Sequence, residues 1–327
     1  MQKINTIWTP AIGTNNLMDV WIYEMIEQEL HNLFPQHFFY SIPTKDYLKR
    51  FGNHTKKSQF VFVAGTNLIS SRMHFPYSKQ WKLRLRDILS IEELILVGVG
   101  WRTYERQPDI YTRFLLKNLL SKRSFHSVRD NYTKAKLHST GIHNVINTGC
   151  PTMWSLNKEW VKDIPTTKAQ NVVITLCKGK HTNEHIDKKI LGIIKEHYGK
   201  IFFWPQSDTD MDYLEGLISD FDWKHRITIV NPHLNAYKNL LKSDLPLDSI
   251  GLRLHAGILA LNYKRRAIII GIDNRAIEIS KDTDLNVIPY TQVLNRLEKA
   301  IHSRSSNTIK MPFENIERWR AQFSSTM

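Results

Sequence analysis

The sequence predicts an α/β protein of two facing Rossmann-like domains, each a parallel sheet covered by helices. Three observations carry this. Continuous apolar runs recur between stretches of helical period, the pattern of strands buried on both faces. The pattern stops in a polar stretch at 155–170 (SLNKEWVKDIPTTKAQ), then restarts. The chain has 327 residues, enough for two domains at roughly 100–200 residues each.

The first run, 2–9, ends at Pro10, and Gly13-Thr14-Asn15-Asn16 turns the chain into a helix. There Met18, Ile22, Met25, Ile26, Leu30 and Leu33 form one apolar stripe. Phe60–Ala64 reads as a buried strand ending in Gly65-Thr66-Asn67, and 94–100 as another, broken by glycine. Runs 126–129 and 144–147 read as strands flanking a short helix. Past the polar stretch, which reads as an interdomain linker, 172–176, 200–204, 227–230 and 267–272 read as strands, and one more ends near Gly251. A helix is expected over 186–197, and a last one after Pro312, with Ile316, Trp319 and Phe323 on one stripe that packs back on the body. The expected boundaries are 1–158 for the N-terminal domain, 168–305 for the C-terminal domain and 306–327 for the terminal helix.

Hydrophobic residues at 42% and charged residues at 23% exclude a disordered chain, and two cysteines exclude a disulfide scaffold. Cys150 and Cys177 read as buried thiols in a reducing compartment; no CxxC or Cys/His spacing suggests zinc. No apolar run reaches the ~18–20 residues that span a bilayer, and the N-terminus has no signal-peptide core. A soluble, cytoplasmic protein is expected. Lys plus Arg number 45 against 31 Asp plus Glu, a formal charge of +14. That excess suits a nucleic acid, an anionic membrane surface or a phosphorylated ligand. The cations are scattered in small groups (Lys49-Arg50, Lys56-Lys57, Lys82/Arg84/Arg86, Lys122-Arg123, Lys264-Arg265-Arg266), with no basic arm and no RNP-like string, which argues against a nucleic-acid reader. The run 81–86 suits acidic headgroups, so peripheral contact with an anionic membrane is an expectation.

Ligands of open parallel sheets bind beyond the carboxyl ends of the strands, so the chemistry is expected on post-strand loops lining the cleft. The most informative segment is 248–257, DSIGLRLHAG: a strand ends at Gly251, and Arg253, Leu254 and His255 lead into an apolar helix. A helix N-terminus favours anions, an arginine clamps a carboxylate or phosphate, and a histidine moves a proton near neutral pH. In Ser127-Val128-Arg129-Asp130, Arg129 follows a strand, so its guanidinium is expected to aim into the cleft, while Asp130 suits either a helix cap or a ligand. A third candidate is the polar loop 13–19, entering the first helix. The lack of GxGxxG there argues against a dinucleotide enzyme, and no Walker A, GxSxG or HExxH occurs. No carboxylate cluster has ligand spacing, so neither metal nor cofactor is expected.

The order of these pieces resembles the polysaccharide pyruvyl transferases over roughly residues 10–280. Asn16-Leu17-Met18-Asp19 stands where that family usually shows Asn-x-Gly-Asp. Ala64-Gly65-Thr66-Asn67, Gly98-Val99-Gly100, Val128-Arg129-Asp130 with Leu137 and Gly141, and Gly149-Cys150-Pro151 follow in order. Trp204-Pro205-Gln206-Ser207 with Asp210, then Asp248 through Arg253-Leu254-His255, and Asp273-Asn274-Arg275 in place of Asp-x-Lys, complete the set. Met18 replaces a glycine and Arg275 a lysine, which alters backbone approach at the first position and hydrogen-bond geometry at the second.

The resemblance implies a fold like the GT-B glycosyltransferases. It also implies transfer of a pyruvyl group from phosphoenolpyruvate, the co-substrate, to two hydroxyls of a sugar in a cell-surface glycan or its precursor, forming a cyclic ketal. A donor with a carboxylate and a phosphate needs at least two placed cations. Arg129 and Arg253 are the candidates, with Gly251 and Leu254 beside them, and His255 as the group for acid/base work or for stabilising the departing phosphate. Asn16, Asp19, Asn67 and Gln206 are candidate acceptor contacts; Asp130, Asp273 and Arg275 are secondary, the last two suited to pairing with each other. A lipid-linked acceptor at the membrane face would give the positive charge a purpose. The alternative is a GT-B-type glycosyltransferase using a nucleotide sugar in the same cleft.

Overall fold

The computed structural model describes residues 3–46, 55–77, 80–89, 93–218, 226–306 and 308–324. Lys49-Arg50 and the side chain of Arg86, noted for their charge, lie outside what is described. The chain divides into two compact units, one of Met1–Thr14, Asp19–Trp154 and Met311–Met327, the other of Asn15–Met18 and Ser155–Lys310.

Alternation builds the first unit. Strands β1 (Ile4–Thr9), β2 (Phe38–Pro43), β3 (Phe60–Ala64) and β4 (Leu94–Val97) pair in parallel in the order β2-β1-β3-β4. Successive side chains leave a strand on opposite faces. Trp8, Val61, Val63, Leu94 and Leu96 therefore enter one core, and Ile7, Phe62, Ile95 and Val97 the other. The second core is closed by Ile22, Ile26 and Leu30 of α1 (Leu17–Leu33) and by Trp319 and Phe323 at the C-terminal helix Phe313–Ala321. The first is closed by Leu115, Leu116 and Leu119 of α2 (Ile110–Leu119).

A parallel pair, β5 (His126–Val128) and β6 (Val145–Asn147), wraps α3 (Asn131–Ser139) and joins β4 largely through side chains. The Leu96 amide donates to His126 Nδ1 (3.3 Å) and the Gly98 amide to Ser127 Oγ (2.9 Å). His126 Nε2 donates to the Ser121 carbonyl at 2.9 Å, so the buried ring is the neutral Nε2–H tautomer. Burial lowers its pKa to about 4. An unfolded histidine titrates near 6.5, so the unfolded chain takes up the proton first, and this group costs stability as pH falls from about 6.5 through 4. The loss is of order 3 kcal/mol. His126→Gln should remove that part of the acid dependence; denaturant unfolding between pH 7 and 4 measures it.

The second unit is a six-stranded sheet. Strands β7 (Asn171–Thr175), β8 (Ile201–Phe203), β9 (Ile227–Ile229), β10 (Leu247–Gly251), β11 (Ala267–Gly271) and β12 (Val287–Pro289) run parallel in the order β12-β11-β10-β7-β8-β9. This is the doubly wound order, with its reversal between β7 and β10. The stretch expected as a linker is folded. Asn157 caps a short helix, α4 (Lys158–Lys162), by accepting from the Trp160 amide (2.8 Å), and Leu156, Val161 and Ile164 are buried. Leu156, Trp160, Val161 and Ile164 do fall at helical spacing, but the run is short and set among polar residues and Pro165.

One face of this sheet carries α5 (Glu184–His197), α6 (Thr209–Ile218) and, beyond α7 (Leu234–Lys242), α8 (Leu254–Asn262) and α9 (Asn274–Thr283), also α10 (Val293–His302); Ile190, Ile194, Leu214, Leu217, Leu297 and Ile301 share its core. Helix α8 is buried from Leu254 through Leu261, which is why its sequence is apolar all round. Gly257 lets it lie directly on Ile269 of β11, where a Cβ would come within 2.4 Å of that side chain.

Candidate active site

In a doubly wound sheet the crevice opens where strand order reverses. Here a pocket of about 320 Å³ lies at the carboxyl ends of β7, β8, β10 and β11. Cys177, Lys178 and Gly179 follow β7; Gln206, Ser207 and Thr209 follow β8; Leu252, Arg253, Leu254 and His255 follow β10; Ile272 and Arg275 follow β11; Asn16 and Met18 complete the lining. All belong to the second unit.

Arg253 stands at the N-cap of α8 and is held from behind. Its Nη2 donates to Ser207 Oγ (3.0 Å) and to Asp210, and its Nε to the Leu176 carbonyl (3.4 Å). Asp210 is buried in the first turn of α6, where its other oxygen accepts from the amides of Gln206 (3.0 Å) and Ser207 (3.3 Å). The same carboxylate thus holds the β8–α6 loop against the start of the helix and orients the arginine. His255, two residues on, is buried in the first turn of α8 and lines the pocket. Gln206 is 2% exposed, and its Nε2 has no hydrogen-bond partner among the described residues, although the residue lines the pocket. A buried amide donor left unpaired costs stability, which makes it a ready contact for an acceptor oxygen. Burial raises the Cys177 thiol to about 11, so it is neutral and unsuited to nucleophilic work.

Other expected residues sit differently. Gly251 does not line the pocket; it lets β10 approach β7, since a Cβ there would come within 2.2 Å of Thr175 Oγ1. Asp273 caps α9 by accepting from the Arg275 amide (3.0 Å), and Arg275 Nε returns to the same carboxylate at 2.9 Å. Asp19 accepts from Thr14 Oγ1 (2.9 Å) and Asn16 from the Met18 amide (3.2 Å).

Arg129 does not project from its strand end as expected. It is 1% exposed, its Nε donates to Asp130 (3.1 Å), and its Nη2 donates to Asn67. Asp130 also caps α3 by accepting from the Thr133 amide at 2.7 Å. The reason lies at Gly100, where a Cβ would fall within 2.3 Å of the guanidinium. The missing side chain makes the space in which Arg129 is enclosed. Ser207 and Asp210 belong to the family-like segment after β8 but carry no site role in the sequence reading, and Lys178 is marked only by its place after β7. Among the described residues no three His, Cys, Asp or Glu gather as a metal site would require, and no helix is long and apolar enough to cross a membrane.

A Rossmann-type sheet with a polar, cationic pocket at its switch point defines a ligand-binding α/β unit. Solved structures share the fold of the whole chain. UDP-GlcNAc 2-epimerase of Methanocaldococcus jannaschii is similar at 15% identity and a TM-score of 0.56, covering 99% of this chain and 100% of its own. The Neisseria meningitidis UDP-GlcNAc 2-epimerase is similar at 13% and 0.51, with 100% and 99% covered. At such identities the likeness shows the fold alone, the GT-B type. No curated protein matches the chain. The family model of polysaccharide pyruvyl transferase matches residues 19–274, and the chain belongs to that family. Membership supports a transferase acting in polysaccharide biosynthesis.

Proposed function

We propose that the chain transfers a pyruvyl group from phosphoenolpyruvate to two hydroxyls of one sugar in a cell-surface glycan or its precursor. The observation that carries this is Arg253, braced by buried Asp210 and presented to a small polar pocket beside His255 and Arg275. Phosphoenolpyruvate is small and carries two anionic groups; charge-assisted, bidentate bonds from arginine suit either.

Protonation of the methylene carbon leaves a cationic centre at the adjacent carbon, which the first sugar hydroxyl attacks as it loses its proton. The carbon–phosphate oxygen bond then breaks, the second hydroxyl adds, and its proton leaves with phosphate. Two hydroxyl protons are thus accounted for, one in the new methyl group and one on phosphate. His255 is the group assigned to carry a proton in these steps, Arg253 the group that holds the donor's anion, and Asn16 and Gln206 the contacts for sugar hydroxyls.

Melting in the presence of phosphoenolpyruvate, beside UDP-, GDP- and CMP-sugars, tests the donor. A ligand at ~100 times its dissociation constant adds about 2.7 kcal/mol, several degrees for a chain of this size. A rise with phosphoenolpyruvate alone is expected. A rise with one nucleotide sugar alone would make the chain a glycosyltransferase.

A further inference from the structure

Away from the pocket, the first unit carries an unusual surface. Phe75 is 84% and Ile110 87% exposed, and Phe114, one turn beyond Ile110 on α2, stands out with them, as do Tyr77 and Tyr104. These positions share one surface. The Asp109 amide donates to the Ser71 carbonyl (3.0 Å), Asp109 pairs with His74 (3.3 Å), and Ser71 Oγ donates to the Arg106 carbonyl (2.6 Å). That ties the segment bearing Phe75 to those bearing Tyr104 and Ile110.

The charge around these side chains is predominantly positive. Residues 71–77 and 101–117 hold five cations and two carboxylates. Both carboxylates are engaged locally: Glu105 accepts from the Ser71 amide and Trp101 Nε1 (3.0 Å), and Asp109, partly exposed, pairs with His74 and caps α2 by accepting from the Thr112 amide (2.7 Å). Arg72, Arg106 and Arg113 are exposed.

We infer that this face docks on an anionic lipid bilayer. Protein–protein interfaces are depleted of charge at their centre and form packed patches. Here large apolar side chains project singly between arginines, which suits insertion at the headgroup boundary while the cations meet lipid phosphates. The inference is independent of the reaction proposed for the second unit.

Co-sedimentation with phosphatidylcholine vesicles, with and without phosphatidylglycerol, tests it. Binding is expected only to the anionic vesicles and is expected to weaken as salt rises. Phe75→Ser with Ile110→Ser should lower the bound fraction roughly tenfold or more, and Arg106→Glu with Arg113→Glu should abolish binding. Both pairs replace exposed side chains, so an unchanged melting temperature checks that each is folded. Failure to bind anionic vesicles at low salt, or binding that ignores both pairs, would overturn the inference. So would a dimer in solution that both pairs dissociate, since the face would then belong to a second copy.

Discussion

Arg253→Ala should weaken phosphoenolpyruvate binding on the order of 10²–10³-fold. Hydrogen bonds to a charged group contribute ~1.5–3 kcal/mol each, and a guanidinium can place two in parallel on one carboxylate or phosphate. Arg253→Lys keeps the charge but not the fork and should fall between wild type and alanine. Asp210→Asn leaves the arginine in place and removes the carboxylate that orients it. It should raise KM with a smaller loss of kcat. His255→Ala should behave in the opposite way. Loss of a positioned proton carrier typically costs ~10²–10⁴ in rate, so kcat collapses while donor affinity stays within a few-fold. Titration of phosphoenolpyruvate beside steady-state kinetics separates the two patterns; a His255→Ala enzyme with normal kcat would remove that residue from the chemistry.

Asp248→Ala should be the most damaging change for stability away from the pocket. Asp248, at the start of β10, accepts from Arg266 Nη1 (2.8 Å), Tyr198 Oη (2.7 Å) and the Ala169 amide (3.3 Å). Arg266 also donates to Ser305 Oγ (3.0 Å) and to the carbonyls of Ala300, Ile301 (2.9 Å) and Ser303, tying the end of α10 to the sheet. Both side chains are 1% exposed. Burial pushes the Asp248 carboxyl above its ordinary range even so, and its other oxygen has no partner among the described residues. Removing one member of a buried pair strands the other and costs ~3–5 kcal/mol, whereas replacing both with apolar residues is often neutral. Asp248→Ala should therefore lower Tm by about 10 °C, and Asp248→Leu with Arg266→Met should recover most of it. Calorimetry of the three proteins decides between a pair that stabilises and a pair that is only expensive to break.

The strands were legible where they are continuous and apolar, because a strand buried on both faces carries no polar interruption. β2 and β12 were not. β2 is a sheet edge whose Phe38 and Tyr40 face solvent, and in β12 only Val287 and Ile288 stand between Asn286 and Pro289, too short an apolar run to mark the sequence. The pocket was half legible. Arg253 and His255 stood out because a strand, two polar residues and an apolar helix follow one another without a break. The brace on Arg253 comes from Asp210, which is 43 residues away in the chain, and only the sheet order brings it there. Arg129 shows the converse. Its strand-end position was read correctly, but its direction depends on the space left at Gly100, on a neighbouring loop.

In the proposed reaction the pocket at the ends of β7 and β10 takes phosphoenolpyruvate on Arg253. Isothermal titration of phosphoenolpyruvate into the wild-type chain and into Arg253→Ala tests it most directly. One saturable site per chain is expected, weakened at least a hundredfold by the substitution, as the loss of two charge-assisted bonds requires. Binding of equal affinity in both proteins would contradict it.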